Sequence, residues 1–217
     1  MDTVVVTAFY YVKTKKHTTL DYADWVCNFF ACVTCPVIIF CDLKFPQIER
    51  PNVKYIARSF DSFKIVQEPW NTRWEEWHKL DPEKNIHSPE LYSIWAAKQE
   101  FVQEAMKVSD YSAYVWCDIG CFRNIRNGSF KYTCNYLEPS KITCLSVCDT
   151  IGGGVLAGDR DAWNIFTKNY LRELERDING KDQVIYKRIL NSSNAVIIKS
   201  TKEFGDEWFY LTYIFSF

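Results

Sequence analysis

The chain lacks any excess of charge: 26 lysines and arginines stand against 27 aspartates and glutamates, a formal net charge of −1. A polyanion therefore feels no global attraction, and a nucleic-acid partner would need a local basic stripe. No such stripe is visible, so no nucleic acid is expected among the partners. Long apolar runs are also missing. The longest uncharged stretch, 25–41, is interrupted by Asn28, Thr34 and Pro36, whereas a membrane span needs about 20 mostly apolar residues. No transmembrane segment is expected. The acidic opening Met1-Asp2-Thr3 and the short apolar run behind it do not make a secretory leader. A cytoplasmic location follows as the expectation, with the nine cysteines acting as reduced, small apolar residues.

Histidine is scarce, and the three present (His17, His78, His87) show no metal-ligand spacing. There is no Gly-x-Ser-x-Gly, no GxGxxG and no Walker lysine, so a hydrolase triad, a dinucleotide fold and a P-loop ATPase are all unsupported. A structural zinc would want two tight cysteine pairs. Cys32-Val33-Thr34-Cys35 is one such pair and Cys144 with Cys148 is looser, which leaves a zinc-stapled interaction domain as a minor reading.

What is present describes a folded chain. Its 217 residues and 25.6 kDa suit a single domain with a sizeable core. Apolar and charged fractions of 47% and 24% are those of a globular protein and exclude disorder, collagen and coiled coil. Aromatics make up 17%, so large rings are expected in the core and in any pocket.

Strands are expected at 3–9, 37–41, 53–56, 113–117, 142–147, 151–156 and 195–199, where β-branched or continuous apolar runs occur. A helix is expected over 20–30, with Thr18 and Asp21 spaced as a capping box. Ser88-Pro89-Glu90 opens another, with an N-cap serine, proline at the first helical position and an acid in the first turn. Leu91, Ile94, Trp95, Lys98, Val102 and Ala105 recur at helical steps, so one helix is expected to run through them all. Lys98 then either snorkels at the stripe's edge or reaches into a pocket. Asp159 or Asp161 caps a helix to about Arg176, and 180–183 opens one more. Residues 60–87 are tryptophan-rich and show no regular pattern. The greasy 208–215 segment is expected to dock on the core. The order of elements indicates an α/β fold with a mostly parallel central sheet flanked by helices.

Chemistry concentrates at Asp118. The run Ala113–Cys117 reads as a central strand and ends in Asp118-Ile119-Gly120, where open α/β sheets present ligand-binding groups. Such a carboxylate either holds Mg²⁺ or Mn²⁺ or caps the following turn; spacing leaves both open. Gly152, Gly153 and Gly154 likewise allow either close approach to a ligand or a tight turn. Asp182 and Gln183 either enter a site or cap a helix.

The segments Thr3-Val4-Val5-Val6-Thr7-Ala8-Phe9-Tyr10, His87-Ser88-Pro89-Glu90-Leu91-Tyr92-Ser93-Ile94-Trp95-Ala96-Ala97-Lys98 and Trp116-x-Asp118-x-Gly120-x-x-Arg123 resemble the HtrL/YibB family of GT-A type glycosyltransferases. Gly152-Gly153-Gly154-Val155-Leu156-Ala157-Gly158 and Lys181-Asp182-Gln183 follow in the expected order, so the resemblance covers nearly the whole chain. It implies a single GT-A-like domain over 1–217, with a nucleotide-binding half at about 1–120 and an acceptor-binding half at about 121–217. It implies transfer of a sugar from a nucleoside diphosphate sugar, such as a UDP or GDP sugar, to a glycan, glycoconjugate or other hydroxyl acceptor, assisted by Mn²⁺ or Mg²⁺.

Carried residue by residue, the resemblance places Thr7, Ala8 and Tyr10 at the base and ribose, with Tyr10 stacking on the base. Lys98 meets the diphosphate as a point charge, Asp118 holds the metal, and Gly153 and Gly154 lie near the transferred sugar with Gln183. Asp182 is the catalytic carboxylate, either as base or as stabiliser of the oxocarbenium-like transition state. The family's Asp-x-Asp is here Asp118-Ile119-Gly120, one acid short, and Asp149, Asp182 or Asp206 could complete a metal sphere. That missing acid motivates a different class of function, a catalytically silent carbohydrate- or partner-binding module.

Overall fold

The β-branched runs of the sequence become the strands of one sheet in a computed structural model, which describes residues 2–12, 17–123, 137–202 and 207–215. In chain order the elements are β1 (Thr3–Phe9), α1 (Thr19–Cys32), β2 (Val37–Cys41), β3 (Val53–Ala57), α2 (Trp70–Leu80), α3 (Pro89–Ala96), α4 (Lys98–Val108) and β4 (Ala113–Cys117). There follow β5 (Ile142–Val147), β6 (Thr150–Gly158), α5 (Arg160–Arg176), α6 (Asp182–Ile189), β7 (Ala195–Lys199) and α7 (Leu211–Ile214). The seven strands lie in the order β3-β2-β1-β4-β6-β5-β7. Only β6 runs antiparallel to its neighbours β4 and β5; the pairs β1–β2, β1–β4, β2–β3 and β5–β7 are parallel. The chain is therefore α/β with a mostly parallel mixed sheet.

Both faces of the central strands are covered, which is why they read as unbroken apolar runs. On one side Val4, Val6, Tyr114 and Trp116 pack with Trp74, Tyr92, Phe101, Trp163 and Tyr186 from the helices α2 to α6. On the other, Val5, Val115 and Cys117 meet Phe29 and Phe30 of α1 and the closing Phe209, Leu211 and Phe215. The C-terminal segment thus docks on the core as expected. Phe29 is fully buried, and a phenylalanine truncated to alanine at such a site costs about 3–5 kcal/mol.

Local signals place the helix starts. The Thr18 hydroxyl accepts from the Asp21 amide while the Asp21 carboxylate accepts from the Thr18 amide. Ser88 Oγ accepts from the Leu91 amide, and Asp159 Oδ1 from that of Ala162.

Two expectations change. The helix expected through Lys98 is two, separated at Ala97, where the Gln99 side-chain amide donates to the Ala96 carbonyl at 2.9 Å. The tryptophan-rich stretch is also ordered: two short 3₁₀ turns lead into α2, which buries Trp74 under an Nε1 hydrogen bond to the Ile65 carbonyl.

The topology has one switch point. From β1 the chain steps outward to β2 and β3, then returns through α2, α3 and α4 to β4 on the opposite side of β1. Loops at the carboxyl ends of β1 and β4 diverge there, and open α/β sheets bind their ligands in the resulting crevice. Among the described residues no helix is long and apolar enough to cross a membrane.

Candidate functional site

A cleft of about 210 Å³ opens at this switch point. The end of β1 contributes Ala8 and Phe9, the turn after β4 contributes Asp118, Ile119 and Gly120, and α3 contributes Leu91, Ile94 and Trp95. Aromatic rings dominate the remaining wall: Tyr11, Tyr22, Trp25, Trp116 and Phe209. The Trp25 ring reaches the cleft because position 120 is glycine; a Cβ there would stand 3.0 Å from it. Gly120 therefore serves ring packing beside the acid.

Behind this wall lies a buried charge cluster. Lys98 Nζ donates to Asp182 Oδ2 at 2.8 Å and to the Gly153 carbonyl at 2.8 Å, and stands 3.3 Å from Asp118 Oδ1. Burial alone would lower the Lys98 pKa, but Asp118 and Asp182 outweigh it and hold the ammonium above the usual lysine value. Asp118 is lifted above the usual carboxylate value by burial, with Lys98 opposing and Asp182 adding to the lift. Its side chain remains 35% exposed, so solvent moderates that lift. Asp118 Oδ1 also accepts from Trp116 Nε1 at 2.8 Å. Its Oδ2 makes no hydrogen bond or ion pair among the described residues and is the oxygen left for a ligand. Tyr170 and Tyr186, buried near Asp182, are pushed well above the ordinary phenol value.

The structure brings only some of the expected residues together. Ala8, Lys98 and Asp118 line the cleft, as does Tyr10. The Tyr10 ring, however, is stacked on Phe101 with centroids 5.8 Å apart and packed against Phe60 at 4.9 Å, so its faces belong to the core and not to a base. Tyr11, Tyr22 and Trp25 offer the aromatic surface instead. Thr7 is fully buried and walls no part of the cleft. Gly153 leaves room for Asp182 and Tyr186, and Gly154 for the Phe209 ring; their close approach is to side chains of this chain. Asp182 is sealed behind Lys98, with Oδ1 taken by the Gln183 amide at 2.8 Å. An acceptor hydroxyl cannot reach it in this arrangement, nor does Gln183 wall the cleft. Asp149 sits in the β5–β6 hairpin turn, and Asp206 lies outside the described residues.

Arg123 is the residue to which the sequence pattern assigned no role. Its guanidinium lies 5.0 Å over the Trp25 ring and 5.9 Å over that of Phe209, at the cleft wall.

For a divalent cation the described residues of the cleft offer one free carboxylate oxygen, on Asp118. That fits Mg²⁺ or Mn²⁺ arriving with a diphosphate, since Mg²⁺ is commonly held by one or two carboxylates and substrate phosphates. It does not make a closed, resident metal centre. Among the described residues the group with metal-ligand spacing is Asp81, Glu83 and His87, whose ligand atoms lie within 4.8 Å of one another. Four of their six ligand atoms are already engaged. Asp81 Oδ2 accepts from the Tyr92 hydroxyl at 2.6 Å and pairs with His87 Nδ1 at 2.8 Å, Oδ1 accepts from the Glu83 amide, and Glu83 pairs with Lys181. Cys32 and Cys35 are buried in the apolar layer under α1, and neither belongs to that group.

Fold and cleft together define an open α/β protein with its binding crevice at the strand-order switch. No family model matches the chain, and no curated protein matches it in sequence. Among solved structures it is similar to a glycosyltransferase involved in the glycosylation of the major capsid of PBCV-1. Identity is 11% and the TM-score 0.42, over 91% of this chain and 81% of that one. It is similar to the bifunctional IspDF from Campylobacter jejuni at 10% identity and a TM-score of 0.40, over 93% of this chain. The chain spans 50% of that protein's length.

Proposed function

We propose that the chain is a glycosyltransferase that moves a sugar from a nucleoside diphosphate sugar to a hydroxyl acceptor on a glycan or glycoconjugate. The observation that carries this reading is the free carboxylate oxygen of Asp118 at the carboxyl end of β4, facing an aromatic-walled cleft at the switch point. The resemblance of the Trp116-x-Asp118-x-Gly120-x-x-Arg123 segment to the HtrL/YibB family supports it.

In this reading the donor base lies against Tyr11, Tyr22 or Trp25, whose rings give contact area at low entropic cost. Residues 1–120 form the nucleotide-binding half, and the β6-β5-β7 side of the sheet meets the acceptor. Asp118 Oδ2 would hold Mg²⁺ or Mn²⁺, which when bound offsets charge on the departing diphosphate. Lys98 and the Trp116 indole fix the Asp118 carboxylate from behind, so that its free oxygen keeps one direction. Asp182 anchors Lys98. Transfer breaks the bond from the anomeric carbon to the diphosphate oxygen and forms one from that carbon to the acceptor oxygen, while the acceptor's hydroxyl proton passes to the departing diphosphate.

The test is a thermal-stability titration with UDP and GDP sugars, with and without Mn²⁺, followed by a transfer assay. A donor at a hundredfold excess over its Kd should add about 2.7 kcal/mol, and Asp118→Asn should abolish turnover while leaving the melting temperature within a few degrees. If no nucleotide sugar shifts the melt at millimolar concentration, the proposal fails. A second reading, a silent binding module, is favoured by the neutralisation of Asp118 Oδ1 by Lys98; nucleotide binding without turnover across an acceptor panel would select it.

A further inference from the structure

We infer that Arg123, and not Lys98, is the residue that binds the diphosphate in this cleft. The inference rests on the nucleotide-sugar reading and names the group that would recognise the ligand's charge.

An ammonium has three protons to donate and no acceptor. In Lys98 all three are committed, to the Gly153 carbonyl, to Asp182 at 2.8 Å and to Asp118 at 3.3 Å. Nothing remains for a phosphate oxygen. The cluster of Lys98 with two carboxylates also carries a net negative charge, which repels a diphosphate brought beside Asp118 unless another cation stands close.

Arg123 meets that need. It is exposed at the cleft wall and makes no ion pair with a carboxylate among the described residues. Its guanidinium is held over the Trp25 and Phe209 rings. Among the described residues its N–H groups meet no acceptor, and their planar fork matches two phosphate oxygens at once. Cation–π contact also restrains the side chain before a ligand arrives. The turn after β4 brings Arg123 round to the same cleft as the free oxygen of Asp118. This cleft therefore offers a diphosphate both an arginine and an acid able to share a cation.

Calorimetric titration of the full chain with pyrophosphate and with UDP, in EDTA and at low ionic strength, tests this. The wild type should bind both without a divalent ion, and more weakly as salt rises. Arg123→Gln should weaken both at least tenfold and lose most of the salt dependence. Arg123→Lys should fall between, because lysine keeps the charge but loses the fork. Melting temperatures of both variants should stay near the wild-type value, since the side chain is exposed. If Arg123→Gln binds within twofold of the wild type, the inference is overturned; should UDP still bind with Mn²⁺, the glycosyltransferase reading stands without it. If pyrophosphate binds through Arg123 but UDP, GDP, ADP and CDP do not, the anion site stands and the nucleotide-sugar reading falls. Binding of neither probe to the wild type in EDTA overturns the inference, and binding of neither with Mn²⁺ as well overturns both.

Discussion

Burying an ammonium costs several kcal/mol, and Lys98, with its side chain 5% exposed, offsets that cost only through the two carboxylates around it. Lys98→Met should therefore leave Asp118 and Asp182 facing each other without compensation and lower stability at pH 7 by about 3–5 kcal/mol; urea unfolding measures it. Adding Asp182→Asn to that variant should recover part of the loss. Asp81 makes a second residue-scale case. Burial would raise its pKa, yet hydrogen bonds from Tyr92, the Glu83 amide and His87 bring it down to about 2. A carboxylate depressed in the folded state stabilises fully above its unfolded value and loses that contribution as pH falls through the folded one. Stability should drop by about 2 kcal/mol between roughly pH 4 and pH 2. Asp81→Asn should flatten that part of the acid-denaturation profile. At this scale the sequence showed where an acid ends a buried strand, because strand and glycine are local signals. It could not show that the protons of Lys98 are already spent or that the Tyr10 ring is packed against Phe101, since both depend on partners far along the chain.

Elements were legible where their ends carry capping chemistry. Thr18 and Ser88 each receive the amide their spacing predicted, and of the two acids left open, Asp159 and Asp161, it is Asp159 that caps its helix. The helix α2 was invisible because Trp74 is its single buried residue, so no apolar stripe marks it. At the break at Ala97 a side chain, that of Gln99, takes up the Ala96 carbonyl, which periodicity cannot register. The β5–β6 hairpin offers a test at this scale. Cys148 and Asp149 bridge it with φ of 45° and 62°, between the paired Val147 and Thr150. Two-residue turns of this hand favour Asn-Gly, and left-handed backbone costs other residues about 1–2 kcal/mol each. Asp149→Gly should therefore raise stability by about 1 kcal/mol, read as a higher urea midpoint at unchanged slope.

For the whole molecule, alternation of strands and helices indicated a mostly parallel α/β sheet, but strand order is settled by pairings between distant segments. Placement of β6 between β4 and β5 is what joins the two halves of the chain into one sheet. The same placement gives synthesis a direction. β1 is made before β2 and β4, gains β2 on one flank early, and keeps its other flank bare until residue 113 has been made. An apolar strand with open amides is a template for any other chain that meets it. Nascent copies stalled in that interval thus expose the inner edge of their own core to one another, and the segment that shields it is the same one that later carries Asp118.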